Sequence, residues 1–314
     1  MFYTCTLNPA IDLFIDTNKL LPNTVNRTNN YDVIANGKGV NVSLILKKLG
    51  IDSCALSIGG GFTFHFIEDY LHEQGIDTHF IQTEGTTRIN VFTRVREADL
   101  EYKLVNPGPQ VSKETLDSLM TKIYTLNSDD FLIVSGSFAK GISPDQLITL
   151  AELSSAQGFQ LIVDTSYTTV MDCLPYKPLL IKPNEEEIAS WFEISDEVEL
   201  TFDDYIHYAK ILITKGAQNI LLSLGSQGAL FINKDTVLYG NAPKGKVINT
   251  ACSGDTMLGT FIAYCQQGSS YEEALRYSLA AGSSTAFTTA LTDFTDTDDL
   301  AKEISIKRIE GAQK

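Results

Sequence analysis

The sequence is poor in the features that mark a metal cage, a disulfide scaffold or a membrane span. Its four histidines (His65, His72, His79, His207) form no HExxH motif and no i, i+4 pair, so packing or surface roles suit them better than ligation. The five cysteines (Cys5, Cys54, Cys173, Cys252, Cys265) are odd in number, widely spaced and without a CxxC. That pattern argues against a disulfide framework and a zinc site, and predicts reduced thiols. No stretch approaches the roughly 18 unbroken apolar residues that a bilayer requires. Cationic charge is scarce as well, with 24 Lys and Arg against 39 Asp and Glu for a net charge of −15. Such a surface repels phosphodiester backbones, so no nucleic-acid partner is expected. A small anionic substrate stays compatible, because cations and backbone N–H groups lining a cleft act locally while distant charge is screened beyond about 10 Å. Met1 runs directly into the strand-like FYTCTLNPA, without the basic and apolar regions of a secretory signal. The expectation is a soluble, cytoplasmic chain with no membrane partner.

What is present is a rhythm. Short aliphatic or β-branched runs recur as CALSI (54–58), FLIVSG (131–136), QLIVDT (160–165), LLIKPN (179–184) and ILLSLG (220–225). Helix-period stretches separate them, among them VSLILKKLG (42–50), HFIEDYLHEQG (65–75) and SPDQLITLAELSSAQG (143–158). Strand and helix in alternation predict an α/β fold whose mostly parallel sheet carries helices on both faces. Two segments depart to period 2: AIDLFID (10–16), and a hairpin over 87–105 turning at Glu97–Ala98–Asp99. Alternating strands suit a one-faced layer, so these predict a small antiparallel sheet at one edge of the core, acting as a lid, a subunit contact or a plain edge hairpin. Without a Pro/Ser-rich linker or a repeat, residues 1–314 are expected to form one domain, with lid strands inserted at about 10–32 and 87–106.

Ligands of open parallel sheets bind beyond the carboxyl ends of the strands, so the strand-to-helix turns hold the candidate chemistry. In NTACSGDTMLGTF (249–261), Val247–Ile248 is expected to end a strand, and Leu258, Phe261, Ile262 and Cys265 follow at helical spacing. Ser253, Gly254 and Asp255 then occupy a helix N-terminus, where free N–H groups and the macrodipole favour an anion. Asp255 there is a candidate proton acceptor, although Ser and Asp are also the commonest plain caps. A second glycine-bearing entry, ANGKGVNVSLIL (35–46), brings Lys38 and Asn41 without P-loop spacing, and suits close backbone approach to sugar hydroxyls or a flexible loop. In IKPNEEEI, Asn184 and Glu187 have the spacing of a capping box, and equally of a magnesium station that acts through water. GGGF (59–62) does not match a dinucleotide fingerprint.

The order and spacing of TLNPAID, NGKGVNV, GGF, TRIN, NPGP, SGS, IKPN, SLGSQGA and SGD resemble the ribokinase-like sugar kinases, the PfkB family, from about residue 3 to residue 290. Within that family the sequence is most similar to 1-phosphofructokinases, and next to tagatose-6-phosphate kinases. The resemblance implies a three-layer α/β/α core with a β lid that joins two subunits as a homodimer. It also implies phosphoryl transfer from ATP with Mg²⁺ to a sugar phosphate, fructose 1-phosphate being the first expectation. On this resemblance Asp255 is the catalytic base, with Cys252, Ser253 and Gly254 forming an anion hole. Asp12, Gly37, Lys38 and Asn41 contact the sugar, Arg88 and Arg27 hold the phosphate already on it, and Ser137 is a further substrate contact. Lys182, Asn184, Ser223, Gly225 and Gly228 lie along the nucleotide, and Asn184 with Glu187 reaches magnesium through water. Asn36 and Cys252 replace residues that are usually glycine, Tyr102–Lys103 replace Thr-Glu near the sugar, and Phe64 replaces the second glycine of G-F-x-G. Asn36, Cys252 and Lys103 motivate a second expectation, a sugar-phosphate-binding protein with weakened catalysis.

Overall fold

The computed structural model describes residues 1–195 and 197–309. In chain order its strands are β1 (Phe2–Thr6), β2 (Ala10–Thr17), β3 (Asn30–Asn36), β4 (Ser53–Gly59), β5 (Asp77–Gln82), β6 (Arg88–Val95) and β7 (Leu100–Leu104). There follow β8 (Phe131–Ser135), β9 (Gln160–Asp164), β10 (Leu180–Ile181), β11 (Asn219–Ser223), β12 (Ala229–Asn233), β13 (Val237–Gly240) and β14 (Ile306–Arg308).

Ten of these strands form one sheet in the order β14-β13-β12-β11-β10-β9-β8-β1-β4-β5. From β11 to β5 every pairing is parallel, while β12, β13 and β14 extend the sheet antiparallel. The parallel strands are apolar on both faces because both faces are covered. In β8, Leu132 and Val134 enter one core with Leu161, Val163 and Leu119, while Ile133 enters the other with Leu258 and Leu275. Each such fully buried aliphatic side chain contributes roughly 1.5 to 3 kcal/mol. Among the described residues no helix is long and apolar enough to cross a membrane.

The remaining strands form the small second sheet, the one expected as a lid and given that label, in the order β3-β2-β6-β7. The hairpin partners β2/β3 and β6/β7 are antiparallel as expected, and the central seam β2/β6 is parallel. Both seam strands leave the core in the same direction, and that direction fixes the sense of their pairing. The turn between β6 and β7 falls where expected, with Asp99 in the left-handed region at φ 50°.

One expected element is absent. Val247–Ile248 end no strand: both are exposed (56% and 44%), and the N–H groups of Ile248 and Asn249 donate to the Ala286 carbonyl at 2.8 and 3.1 Å. The backbone donors of this segment are used on the end of the helix Tyr271–Ala286 instead of on a sheet neighbour.

Candidate active site

The candidate residues converge at the carboxyl ends of the parallel strands. Asp164 is the last residue of β9, Lys182 follows β10, Ser223 ends β11 and Ser137 lies just beyond β8. The helix Lys38–Lys48 enters beside β1 because Gly37 adopts φ +146°, and a Cβ on Gly39 would fall 2.5 Å from Thr6 Oγ1. Only glycine permits that close an approach, which brings Lys38 and Asn41 to the strand ends.

Two cations converge on one buried carboxylate. Lys38 Nζ and Lys182 Nζ lie 3.0 and 3.1 Å from Asp164 Oδ1, and Asp164 is fully buried. Burial alone would raise the Asp164 pKa, but Lys182 and Lys38 outweigh it and hold the carboxyl ionised. Its Oδ2 is buried with no hydrogen-bond partner. For Lys38 the balance is reversed: burial would lower its pKa, and the charges of Asp164, Asp255 and Glu187 carry it upward. Burial pushes Asp255 up to about 6 against the pull of Lys38, while Asp164 raises it further and the Asn41 hydrogen bond opposes. Burial likewise raises Glu187, opposed first by Lys38. Asp164 went unnoticed as a site residue in the sequence, where QLIVDT reads as a buried strand. Its signal was an acid at the carboxyl end of an apolar run.

A chain of amides joins two further carboxylates. Asn41 Nδ2 donates to Asp255 Oδ2 at 2.8 Å and to Asn36 Oδ1 at 2.7 Å. Asn36 Nδ2 in turn donates to Asp12 Oδ2, and Asn90 Nδ2 donates to Asp12 Oδ1 at 2.8 Å. Asp12, Asn41 and Asp255 are buried. The Cys252 thiol donates to Asn36 Oδ1 at 3.8 Å. Asp12, Asn36, Asn41 and Cys252 line a cavity of about 140 Å³.

A second cavity, of about 280 Å³, is lined by Asn8, Lys38, Arg88, Ser135 and Ser137 among others. The Arg88 guanidinium is anchored to the carbonyls of Asn8 (3.0 Å) and Asn106 (3.3 Å). Three buried polar atoms of its lining lack partners: Arg88 Nε, Ser135 Oγ and Asn8 Oδ1. Buried polar groups are normally paired, so such a set suits a polar guest. Arg27 is not brought here: it is exposed in the connection between β2 and β3, and its carbonyl accepts from Thr17 Oγ1 at 3.2 Å.

Residues 5–298 match the family described as pfkB family carbohydrate kinase. The chain belongs to this family. It is 44% identical to a D-tagatose-1-phosphate kinase from Bacillus licheniformis, over 98% of this chain and all of that one. It is 30% identical to a 1-phosphofructokinase from Bacillus subtilis, over 98% and 100% of the two chains. Among solved structures, phosphofructokinase-2 from Escherichia coli in complex with substrates and products superposes with a TM-score of 0.88 at 26% identity, covering 96% of this chain and 98% of that one. A tetrameric inhibited form of that enzyme superposes with a TM-score of 0.86, at the same identity and coverage.

This pfkB chain places its remaining motif residues as follows. The helix Ser253–Gln266 carries Asp255 in its first turn, and Ser253 Oγ is buried without a partner. A Cβ on Gly254 would stand 3.3 Å from Lys182 Nζ, so this glycine leaves the ammonium room beside the helix N-terminus. Cys252 caps the helix at φ 64°, ψ −5°, the left-handed conformation in which a Cβ costs about 1 to 2 kcal/mol. Asn184 and Glu187 form a full capping box, Oδ1 accepting from the Glu187 N–H at 2.7 Å and Glu187 Oε2 from the Asn184 N–H at 3.0 Å. Asn184 bridges to Ser223, and Gly225 and Gly228 flank the turn before β12. Among the described residues no group of three or more His, Cys, Asp or Glu side chains forms a metal cage.

Two departures from the family pattern sit away from these clusters. Phe64 is fully buried and stacked on Phe80 at 4.5 Å, a packing role. Lys103, paired in register with Phe92 and 3.8 Å from Glu101, lines a trough of about 630 Å³ under the lid. It lines neither the Asp12 cavity nor the Arg88 cavity.

Proposed function

We propose that this chain transfers a phosphoryl group from MgATP to the free primary hydroxyl of a ketose 1-phosphate. The observation that carries the reading is Asp255: a buried carboxylate with pKa raised to about 6, oriented by Asn41, at a helix N-terminus beside Lys182. A carboxylate so placed accepts the hydroxyl proton, while the N–H groups at Ser253 and Gly254 and the Lys182 ammonium stabilise the charge on the transferring group. Asp12 accepts from sugar hydroxyls, and Arg88 with Ser137 binds the phosphate already present on the substrate. Arg88 Nε and Ser135 Oγ, left unpaired, suit phosphate oxygens.

The site also fits ATP and magnesium. Asp164 keeps a buried carboxylate oxygen unpaired, Glu187 stands in the field of Lys38 and Lys182, and Ser223, Gly225 and Gly228 border a strand-end turn. Mg²⁺, when bound, neutralises phosphate charge and is held through few protein oxygens and several waters. Asp164, Glu187 and Asn184 are the residues that would face its water shell.

D-tagatose 1-phosphate has stronger support as the sugar than fructose 1-phosphate, because the 44% relative carries that name and the 30% relative the other. Tagatose 6-phosphate draws no support from these relatives. A coupled ADP-release assay over D-tagatose 1-phosphate, D-fructose 1-phosphate, D-tagatose 6-phosphate and D-fructose 6-phosphate tests the proposal. Turnover is expected on the 1-phosphates, and silence on all of them refutes a kinase.

The lid offers a subunit contact. Tyr31, Val33, Leu100, Tyr102 and Leu104 share by register the face opposite Asp12, and all are exposed. We assign that face to a homodimer.

A further inference from the structure

We infer that Asn36 is the specificity-determining residue that, with Asp12, reads the configuration of one sugar hydroxyl and so chooses between ketose 1-phosphates epimeric at C4. The inference rests on the kinase reading above and goes beyond it.

Asn36 is locked by its own hydrogen bonds. Its carbonyl oxygen accepts from the Gly37 N–H at 2.6 Å, from Asn41 at 2.7 Å and from the Cys252 thiol at 3.8 Å. These donors settle which end of the amide is oxygen, so the nitrogen faces Asp12 and donates to it. An NH₂ group has two hydrogens, and only one is used there. The other is left for whatever enters the cavity that Asp12 and Asn36 both line.

Asp12 is an acceptor and is itself held from the opposite side by Asn90. Together Asp12 and Asn36 therefore present an acceptor and a donor side by side. A hydroxyl is the complementary group, giving its proton to the carboxylate and accepting from the amide. Its epimer points the oxygen elsewhere and leaves the second, half-buried Asn36 N–H without a partner. A site that hydrogen-bonds a hydroxyl rejects a ligand lacking it far more strongly than an apolar pocket does.

The same chain explains why this position can act on selectivity apart from rate. Asn41 uses one hydrogen on Asn36 and the other on Asp255, so loss of Asn36 frees half of the Asn41 amide but leaves its bond to Asp255. C4 is chosen because fructose and tagatose differ there alone.

The experiment is a kinetic comparison of D-tagatose 1-phosphate and D-fructose 1-phosphate, with the 4-deoxy analogue as a third substrate, in the unmodified protein and in Asn36→Gly and Asn36→Ser. In the unmodified protein one epimer is expected to lead in kcat/KM by about tenfold or more, with the 4-deoxy analogue as poor as the disfavoured one. In Asn36→Gly the three values are expected to converge within a few-fold, and Asn36→Ser, which restores a donor, to recover part of the preference. An epimer ratio unchanged in Asn36→Gly, with all rates falling in parallel, overturns the inference and leaves Asn36 a structural residue. If the glycine variant does not fold, the serine variant and the 4-deoxy analogue decide: a full epimer preference with full 4-deoxy activity also overturns it. Absence of turnover on every substrate in the unmodified protein instead refutes the kinase reading itself.

Discussion

Lys182 Nζ lies 3.1 Å from Asp164 Oδ1, and the two side chains are 5% and 0% exposed. Lys38 reaches the same oxygen from the helix entry on the other side, at 3.0 Å. Charges taken this far from water are held by each other, so removing one leaves the rest uncompensated. Asp164→Asn is expected to destabilise the fold by about 3 to 5 kcal/mol. Urea unfolding monitored by circular dichroism measures it, and a change under 1 kcal/mol would show that water, not Asp164, compensates the two ammonium groups.

Asp255→Asn keeps the shape and removes the proposed proton acceptor. Turnover is expected to fall on the order of 10² to 10⁴-fold, with sugar-phosphate affinity by calorimetry changed by less than a few-fold. In the proposed role of general base Asp255 acts only when ionised, so with its pKa raised to about 6 activity is expected to fall as pH drops below that value, up to tenfold per unit. Stability moves the other way. The folded pKa is above the ordinary 3.8, so the fold binds this proton more tightly than the unfolded chain does. The Asp255 contribution therefore grows as pH falls from about 6 toward 3.8 and is lost as pH rises through 6. Because the sugar phosphate titrates nearby, the pH profile of binding to Asp255→Asn separates the two.

Cys252→Gly removes the Cβ from a left-handed position. About 1 to 2 kcal/mol of strain is relieved, partly offset by the extra freedom glycine gives the unfolded chain. A net gain below about 1 kcal/mol and equal or higher turnover are expected, whereas Cys252→Ala should leave the strain in place. Thermal unfolding of both variants decides, and a less stable glycine variant counts against strain at this residue.

Arg88 is bonded to the carbonyls of Asn8 and Asn106 and lines the cavity assigned to the substrate's phosphate. Arg88→Met is expected to raise KM for the sugar phosphate by about 100-fold while kcat changes much less, because the phosphate is bound alike in ground and transition states. Equal KM in the variant and the unmodified protein would move the phosphate to another site.

Tyr102→Glu with Leu104→Glu places charge on the exposed face of β7. Sedimentation velocity is expected to show a dimer for the unmodified chain and a monomer for the double variant. A dimer that survives the substitutions assigns the contact to another surface.

How much was legible beforehand depends on the range of the interaction. The parallel core was readable because a strand covered on both faces must be apolar along its whole length, as FLIVS and QLIVD are, and the lid because a one-faced sheet alternates. The Asn184/Glu187 capping box was readable too, as both partners fall within one helical turn. Val247–Ile248 form no strand although two β-branched residues favour one, because that preference is local and the N–H groups of Ile248 and Asn249 find the Ala286 carbonyl instead.

By itself the sequence determined the layers, the family and the order of the motif turns, all properties of local periodicity and spacing. Only the tertiary structure decided that Lys38 and Asp164, 126 residues apart, share a charge, and that Asn41 orients Asp255 across 214 residues. The left-handed angle of Cys252 and the amide chain through Asn36 belong to the same class. A hydrogen bond between distant segments requires two strand ends and two helix entries to meet, and that meeting is set by how the sheet and its covering helices pack.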